Sequence, residues 1–204
     1  MNITIRKEQS YDFRIVENLI RESFWNLYKP WCDEHFIAHK MRELPSFVGE
    51  LDFVACKWDN VVWLIMYTKA KVINNKWKDF EVLCMWPLAV LPNYQRKWIG
   101  SLLMNHTKDI AKTLGYRAII IFWNPDYYHR FGFVNAEKYH IQTSWWENFD
   151  AFMVLELYEW ALNWIYWKFF ADKVFEANPV EVEDFDKYFI PKQKKRTATQ
   201  LFNN

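Results

Sequence analysis

The stretch from Pro87 to Gly115, PLAVLPNYQRKWIGSLLMNHTKDIAKTLG, constrains the fold more than any other. Leu88, Val90 and Leu91 make a short apolar run that ends at Pro92, and the polar, cationic segment Asn93-Tyr94-Gln95-Arg96-Lys97 follows. Ile99, Leu102, Leu103, Ile110 and Leu114 then recur at helical spacing, with Lys108 and Lys112 opposite. Gly115 stands where a helix would stop. The order is that of a buried strand, a tight polar loop and an amphipathic helix. A helix opening just after a cationic loop is an anion site. Its first amides lack intrahelical partners, and its dipole favours negative charge.

The same periodicities place other elements around this unit. Ile3 to Arg6 alternates as a first strand, and Phe13, Val16, Leu19, Ile20 and Phe24 mark an amphipathic helix. Cys32 to Leu44 predicts a second helix, stopped by Pro45. Leu51 to Lys57, Val61 to Ile73 and Phe80 to Val90 predict three strands joined by turns. Beyond the central helix, Tyr116 to Phe122 is a continuous apolar run, as in a strand covered on both faces. Asp126 to Phe131 predicts a short helix, and Phe133 to Ile141 with Ala151 to Glu159 a closing hairpin. Farther on, Phe169 to Phe175 predicts a strand, Val180 to Phe189 an acidic helix, and Lys192 to Arg196 a solvated basic tail.

Composition narrows the function classes. A chain of 204 residues with net charge +1 has no global field to recruit nucleic acid or an anionic membrane. Cys32, Cys56 and Cys84 are odd in number and lack C-x-x-C spacing, which predicts reduced thiols, no metal site and a cytoplasmic protein. The first residues, MNITIRKEQS, carry no apolar signal core, and Glu156 and Glu159 interrupt the longest apolar stretch.

One ratio is abnormal: 13 Trp against 4 Gly, where about 14 Gly would be usual in a chain this long. Trp58 and Trp77 sit in turns, Trp31 follows Pro30, Trp86 precedes Pro87, Trp98 lies in the cationic loop and Trp123 ends a strand. Such places ask for positive φ or close backbone approach. With Trp63, Trp160, Trp164 and Trp167 there are ten positions where glycine is expected in the native protein, encoded by a reassigned stop codon. Trp25, at a helix end, reads as a true tryptophan.

The loop Gln95-Arg96-Lys97-Trp98-Ile99-Gly100 resembles the Q/R-x-x-G-x-G/A motif of the GNAT superfamily of acetyltransferases. Gln95 and Gly100 match it, and Trp98 stands at its first glycine. A second stretch, FWNPDYYHRFGF, is also similar to that family, and the resemblance runs from about Ile3 to Tyr158. It implies a mixed α/β (α+β) fold, with helices on both faces of a sheet of about seven strands whose fourth and fifth strands splay apart. Residues 1–158 would be the acetyltransferase domain. Residues 159–204 would be an extension packed on it.

The resemblance implies acetyl-CoA as co-substrate and transfer of its acetyl group to a primary amine, on a small molecule or a protein. Backbone at Leu88, Ala89 and Val90 would hold the pantetheine arm. The loop from Gln95 through Arg96, Lys97, Trp98, Ile99, Gly100 and Ser101 would hold the pyrophosphate. Asn124 matches a position that hydrogen-bonds pantetheine, and Tyr128, four residues before Gly132-Phe133, matches the tyrosine that protonates the leaving thiolate. Glu81 is the candidate base. His35 and His39, one turn apart on the second helix, are the candidate acceptor-rim residues. No metal, nucleic acid or membrane is implied, and a monomer or a homodimer is expected. The alternative is a non-catalytic CoA-binding or interaction module that keeps the fold.

A bulky residue at a glycine position of the loop would cost about 1–3 kcal/mol in backbone strain, and more if it covers the amides. Trp98→Gly is therefore expected to tighten acetyl-CoA binding in calorimetry. Unchanged affinity would show that the loop does not grip the anion.

Overall fold

The computed structural model describes residues 3–95, 99–198 and 200. Its elements in chain order are β1 (Ile3–Lys7), α1 (Phe13–Phe24), α2 (Glu34–Met41), β2 (Phe53–Lys57), β3 (Asn60–Ile73) and β4 (Asp79–Val90). They continue with α3 (Ile99–Thr113), β5 (Ala118–Phe122), α4 (Pro125–Tyr128), β6 (Val134–Asn135), β7 (Ile141–Thr143), β8 (Phe152–Glu156), β9 (Trp167–Phe170) and α5 (Pro179–Asp186). The described strands form one mixed sheet in the order β1-β2-β3-β4-β5-β8-β6, with β9 beside the far end of β3 and β7 beside β9.

β3 shows why helices cover both faces. Its side chains alternate with period two. Trp63, Ile65 and Tyr67 join Leu103, Met104 and Ala111 of α3 in one core. Leu64 and Met66 join Val16, Leu19, Ile20 and Phe24 of α1 in another. Inside the first core the buried Tyr67 hydroxyl bonds the Thr107 hydroxyl at 2.7 Å, so both polar groups are satisfied.

The sheet opens at one place. β4 and β5 run parallel and pair only at Leu83↔Ile119 and Cys84↔Ile120. Against β3, Tyr67 faces Met85 and Ile65 faces Leu88, so Trp86 and Pro87 together oppose Met66 alone. That is a β-bulge, which bends its strand and raises its twist. Pro87 has no N–H to give a ladder. From Met85 onward β4 leaves β5, and a wedge opens between them, as expected for the fourth and fifth strands.

Elsewhere the structure corrects the sequence. Phe133 to Ile141 is not one hairpin strand. Only Val134 and Asn135 pair with β8. The Asn135 side chain then accepts a bond from the Glu137 amide and starts a 3-10 turn over Ala136–Tyr139. Ile141–Thr143 departs to pair with β9. The segment around Lys192–Arg196 is not a free tail. The Gln193 carbonyl accepts from Trp25 Nε1 at 3.1 Å and Asn26 Nδ2 at 3.0 Å, and Lys192 reaches Glu22 at 2.8 Å.

The tryptophan expectation divides. Trp58, Trp77, Trp160, Trp164 and Trp167 have φ of 56°, 59°, 66°, 67° and 112°. Trp31, Trp63, Trp86 and Trp123 are outside the left-handed region, and Trp98 lies outside the described residues. Trp146, which the sequence did not single out, is left-handed at 70°.

Residues after 158 are held to the rest by a buried cation. Arg21 of α1, 1% exposed, makes a two-pronged contact with Asp186 at 2.5 and 2.9 Å and donates to the Ile190 carbonyl at 3.0 Å. Its guanidinium also stacks over Trp25 and Phe189. Losing one partner of a buried pair strands the other charge. Asp186 keeps some solvent contact, so Arg21→Ala is expected to cost about 2–4 kcal/mol. Urea unfolding measures this, and limited proteolysis should then cut between 187 and 200.

Candidate active site

The wedge becomes a cleft of about 520 Å³ that touches Leu88, Ala89 and Val90 of β4, the start of α3 and the α4 segment. One wall comes from the end of α1. There the Ser23 hydroxyl lies 2.8 Å from the Val90 carbonyl and ties α1 to the splayed strand. Gln95 Nε2 donates to the same carbonyl at 3.3 Å.

The opposite wall is built by a local capping device. Asn124 accepts a hydrogen bond from the Asp126 amide at 3.0 Å, and Pro125 supplies a fixed φ for the first turn. Gly132, at φ 93°, ends the following 3-10 turn in the left-handed conformation that glycine adopts freely. Between these two stops Tyr128 faces inward. It is 1% exposed, and its ring meets Phe133 edge-on at 5.4 Å. Burial, the main cause, pushes its phenol well above the ordinary value. Tyr127 lies against it, and Arg130, whose guanidinium is 4.0 Å from the Tyr127 ring centre, brings a cation to the cleft.

At the start of α3, Gly100 has no room for a side chain. The Trp63 indole and the Tyr127 hydroxyl occupy the place its Cβ would take. Trp63 is fully buried, and its indole nitrogen has no hydrogen-bond partner among the described residues. The apolar slot along β4 suits a thin flexible chain. The end of the cleft by Gly100 is filled.

Of the residues singled out from the sequence, Leu88, Ala89, Val90, Gln95, Gly100, Ser101 and Tyr128 line this cleft. Arg96, Lys97 and Trp98 lie outside the described residues, and Ile99 is described only as the first residue of α3. Asn124 serves as the α4 cap. Glu81 is exposed on β4, 3.9 Å from Lys69, and seven residues from Leu88, roughly 23 Å along an extended strand. It is not at the cleft. His35 is buried beneath the C-terminal segment. Its ring packs on Phe185 and Phe189, its Nδ1 is 3.6 Å from Cys32 Sγ, and burial lowers its pKa to about 4. Its Nε2 is 3.3 Å from Asp186 but lacks hydrogen-bond geometry. His39 bonds Glu17 at 2.9 Å and packs on Phe185. Both histidines dock α5 and leave the cleft wall to others. Sequence reading did not single out Ser23, Tyr28 or Arg130. Trp63 was noted only as an expected glycine position, and Tyr127 and Arg130 stand in the FWNPDYYHRFGF stretch already noted.

A second cavity, of about 580 Å³, lies on the other side of the wedge. Its walls are rich in aromatic rings, among them Phe122, Trp145, Phe149 and Phe169, and Asp33, Asp172 and Glu176 reach it. Trp123 lines both spaces, and Trp86 lines the second. Their rings are 4.4 Å apart, and Phe24 and Tyr28 of the α1 side close on them at 5.2 and 4.8 Å.

The acetyltransferase (GNAT) family model matches residues 16–133, more than half of the chain. The chain belongs to the GNAT acetyltransferase family, and that membership makes it an acyltransferase. The Escherichia coli K12 protein described as uncharacterized N-acetyltransferase YhbS is 28% identical over 159 residues, covering 78% of this chain and 90% of that protein. The crystal structure of Escherichia coli YhbS in complex with CoA aligns with a TM-score of 0.77 at 25% identity, over 87% of this chain and 93% of that one. A GNAT acetyltransferase from Brucella melitensis in complex with acetyl-CoA aligns with a TM-score of 0.67 at 18% identity, over 85% and 98%. The mixed sheet, with helices on both faces and an open β4–β5 pair, is the GNAT fold.

This GNAT chain carries one more displaced group beside the cleft. Burial raises the Glu34 carboxyl to about 7, and its charge helps raise Tyr28 to about 12 after burial itself. An unfolded glutamate titrates near ~4.3, so the folded state holds the extra proton between about 4.3 and 7. Glu34 therefore favours folding at low pH, and that contribution falls as pH rises to 7. Glu34→Gln is expected to remove this decline, seen as a smaller difference between urea midpoints at pH 5 and pH 7.5.

Proposed function

We propose that the chain transfers an acetyl group from acetyl-CoA to a primary amine by direct attack in a ternary complex. The observation that carries this reading is the wedge beyond Cys84, which meets the start of α3 and has Tyr128 in its wall. The related YhbS structure holds CoA, and the Brucella melitensis one acetyl-CoA. The main chain of Leu88, Ala89 and Val90, which β5 does not pair, would meet the pantetheine arm, with the Val90 carbonyl already taken by Ser23 and Gln95. Gln95, Arg96, Lys97, Trp98, Ile99, Gly100 and Ser101 would take the pyrophosphate.

In the reaction the neutral amine nitrogen attacks the thioester carbonyl. The C–N bond forms, the C–S bond breaks, and the sulfur leaves as a thiolate. A β4 amide would stabilise the charge gathering on the carbonyl oxygen. Tyr128 would give its proton to the thiolate, the amine proton would pass to water, and the phenolate would regain a proton from water. Tyr128's raised pKa keeps the phenol protonated through the neutral and mildly alkaline range where amines lose their protons. Glu81 is too far along β4 to act as base.

The second cavity is the proposed acceptor site. Aromatic walls and three carboxylates, against the two lysines Lys29 and Lys173, suit an ammonium group on an apolar or aromatic body. Phe169 and Asp172 belong to residues 159–204, so the extension would complete the acceptor wall of the 1–158 domain. The three buried free thiols suit a reducing cytoplasm.

Tyr128→Phe is expected to lower kcat by about 100-fold or more while leaving CoA affinity unchanged. Thiol release and calorimetry read the two separately. Filled space beside Gly100 favours a second reading, a non-catalytic CoA-binding module, which would show no turnover for this variant to lose. Among acceptors, phenethylamine is expected to exceed ethanolamine in kcat/KM by about tenfold, in line with 1–3 kcal/mol of apolar recognition. Equal values would remove the aromatic cavity from the acceptor assignment.

A further inference from the structure

Eight described residues other than glycine have positive φ, and six of them are tryptophan: Trp58, Trp77, Trp146, Trp160, Trp164 and Trp167. Only a few per cent of non-glycine residues adopt such angles, and bulky ones least. Here half of the described tryptophans do. Trp58, Trp77, Trp160 and Trp164 are 67–82% exposed, so burial returns little at four of the six. Trp77 and Trp146 each contact the ring of Trp167, and Lys168 lies over Trp146. Trp25 is the contrast. Its φ is −57°, its indole nitrogen bonds Gln193, and Arg21 stacks on its ring. The backbone at the six sites is a glycine backbone carrying an indole.

We infer that these six codons specify glycine in the source cell, through a stop codon reassigned to glycine, and that the same codon stands at 63, 86 and 123. At those three sites the indole, rather than φ, is out of place. Trp63 sets its ring edge against Gly100 and buries an N–H that finds no partner among the described residues. Trp86 and Trp123 pack together where β4 and β5 part; Trp123 lines both cavities and Trp86 the second. With glycine at all three, the mouth of α3 is uncovered and the cavities join in one passage. A thioester on one side then meets an amine from the other. The passage rests on the acetyl-transfer reading above; the six left-handed sites do not.

Two experiments keep these apart. Tandem mass spectrometry of the protein isolated from its own cells should read glycine at 58, 77, 160 and 164, and tryptophan there overturns the codon assignment. In recombinant protein, the fourfold change of Trp58, Trp77, Trp160 and Trp164 to Gly should raise Tm above both the parent and the fourfold Ala variant. Alanine removes the indole but keeps the Cβ that positive φ penalises. A glycine variant no more stable than the alanine one overturns the assignment too. On that glycine background, Trp63→Gly with Trp86→Gly and Trp123→Gly should tighten acetyl-CoA binding and raise thiol release with phenethylamine at least tenfold. Tighter binding without faster release overturns the passage and keeps the CoA site. No change in either overturns the CoA reading itself.

Discussion

The bulge at Trp86-Pro87 is the constraint on which the rest depends. A parallel pair of strands with both faces covered would ordinarily zip along its length, burying its amides in mutual bonds. Two residues opposite one break that zipper after Cys84. Everything downstream follows from where the break falls. The last three residues of β4 keep β3 on one side and have no strand on the other. α3 starts at Ile99, and its first turn, through Gly100 and Ser101, lines the same gap. Moving the bulge by two residues would place the gap away from the helix start and separate the two halves of the cleft.

The second dependency is the C-terminal segment, which does more than cover a surface. Arg21 draws Asp186 and the Ile190 carbonyl onto α1, and α1 is also the element whose Ser23 holds Val90. The helix that ties down the splayed strand is thus itself clamped from behind. His35 and His39 belong to this clamp. His35 stays neutral because burial outweighs the nearby Asp186 charge. A histidine in a helix-packing seam has a structural use that spacing cannot distinguish from an acceptor rim. Both uses place two imidazoles one turn apart.

What the sequence could reveal depended on how local each feature's cause was. The strand ending at Val90 and the helix from Ile99 to Thr113 were legible because the apolar period changed between them. Tyr128 was legible because a cap and a glycine stop fix it within eight residues. The failures had non-local causes. Val134–Asn135 and Ile141–Thr143 read as one strand, yet their partners, β8 and β9, lie in different parts of the chain. Glu81 was on the right strand, but register against Lys69 and Lys71 puts it at the wrong end. The basic tail looked solvated because its anchors, Trp25, Asn26 and Glu22, are about 170 residues earlier.

The tryptophans separate two kinds of information that usually agree. Side-chain chemistry says what can be buried, while φ says what the chain path demands. At Trp58, Trp77, Trp160 and Trp164 the path demands a residue without a Cβ, and the indole is left in water. Hydrophobicity cannot account for those positions, since an exposed ring returns none of the gain from burial. Backbone preference cannot either, since an L-residue pays for the left-handed region. Inside the fold the conflict takes the opposite form. At Trp63, Trp86 and Trp123 the path is ordinary; Trp63 is buried and the other two are half-buried, and their rings crowd the opening that the bulge makes in the sheet. A strand break that costs ladder bonds is worth keeping only if something enters it. An occupant supplied by the chain's own indoles would make the break pointless, whereas an extended thioester arm uses the amides that the break exposes.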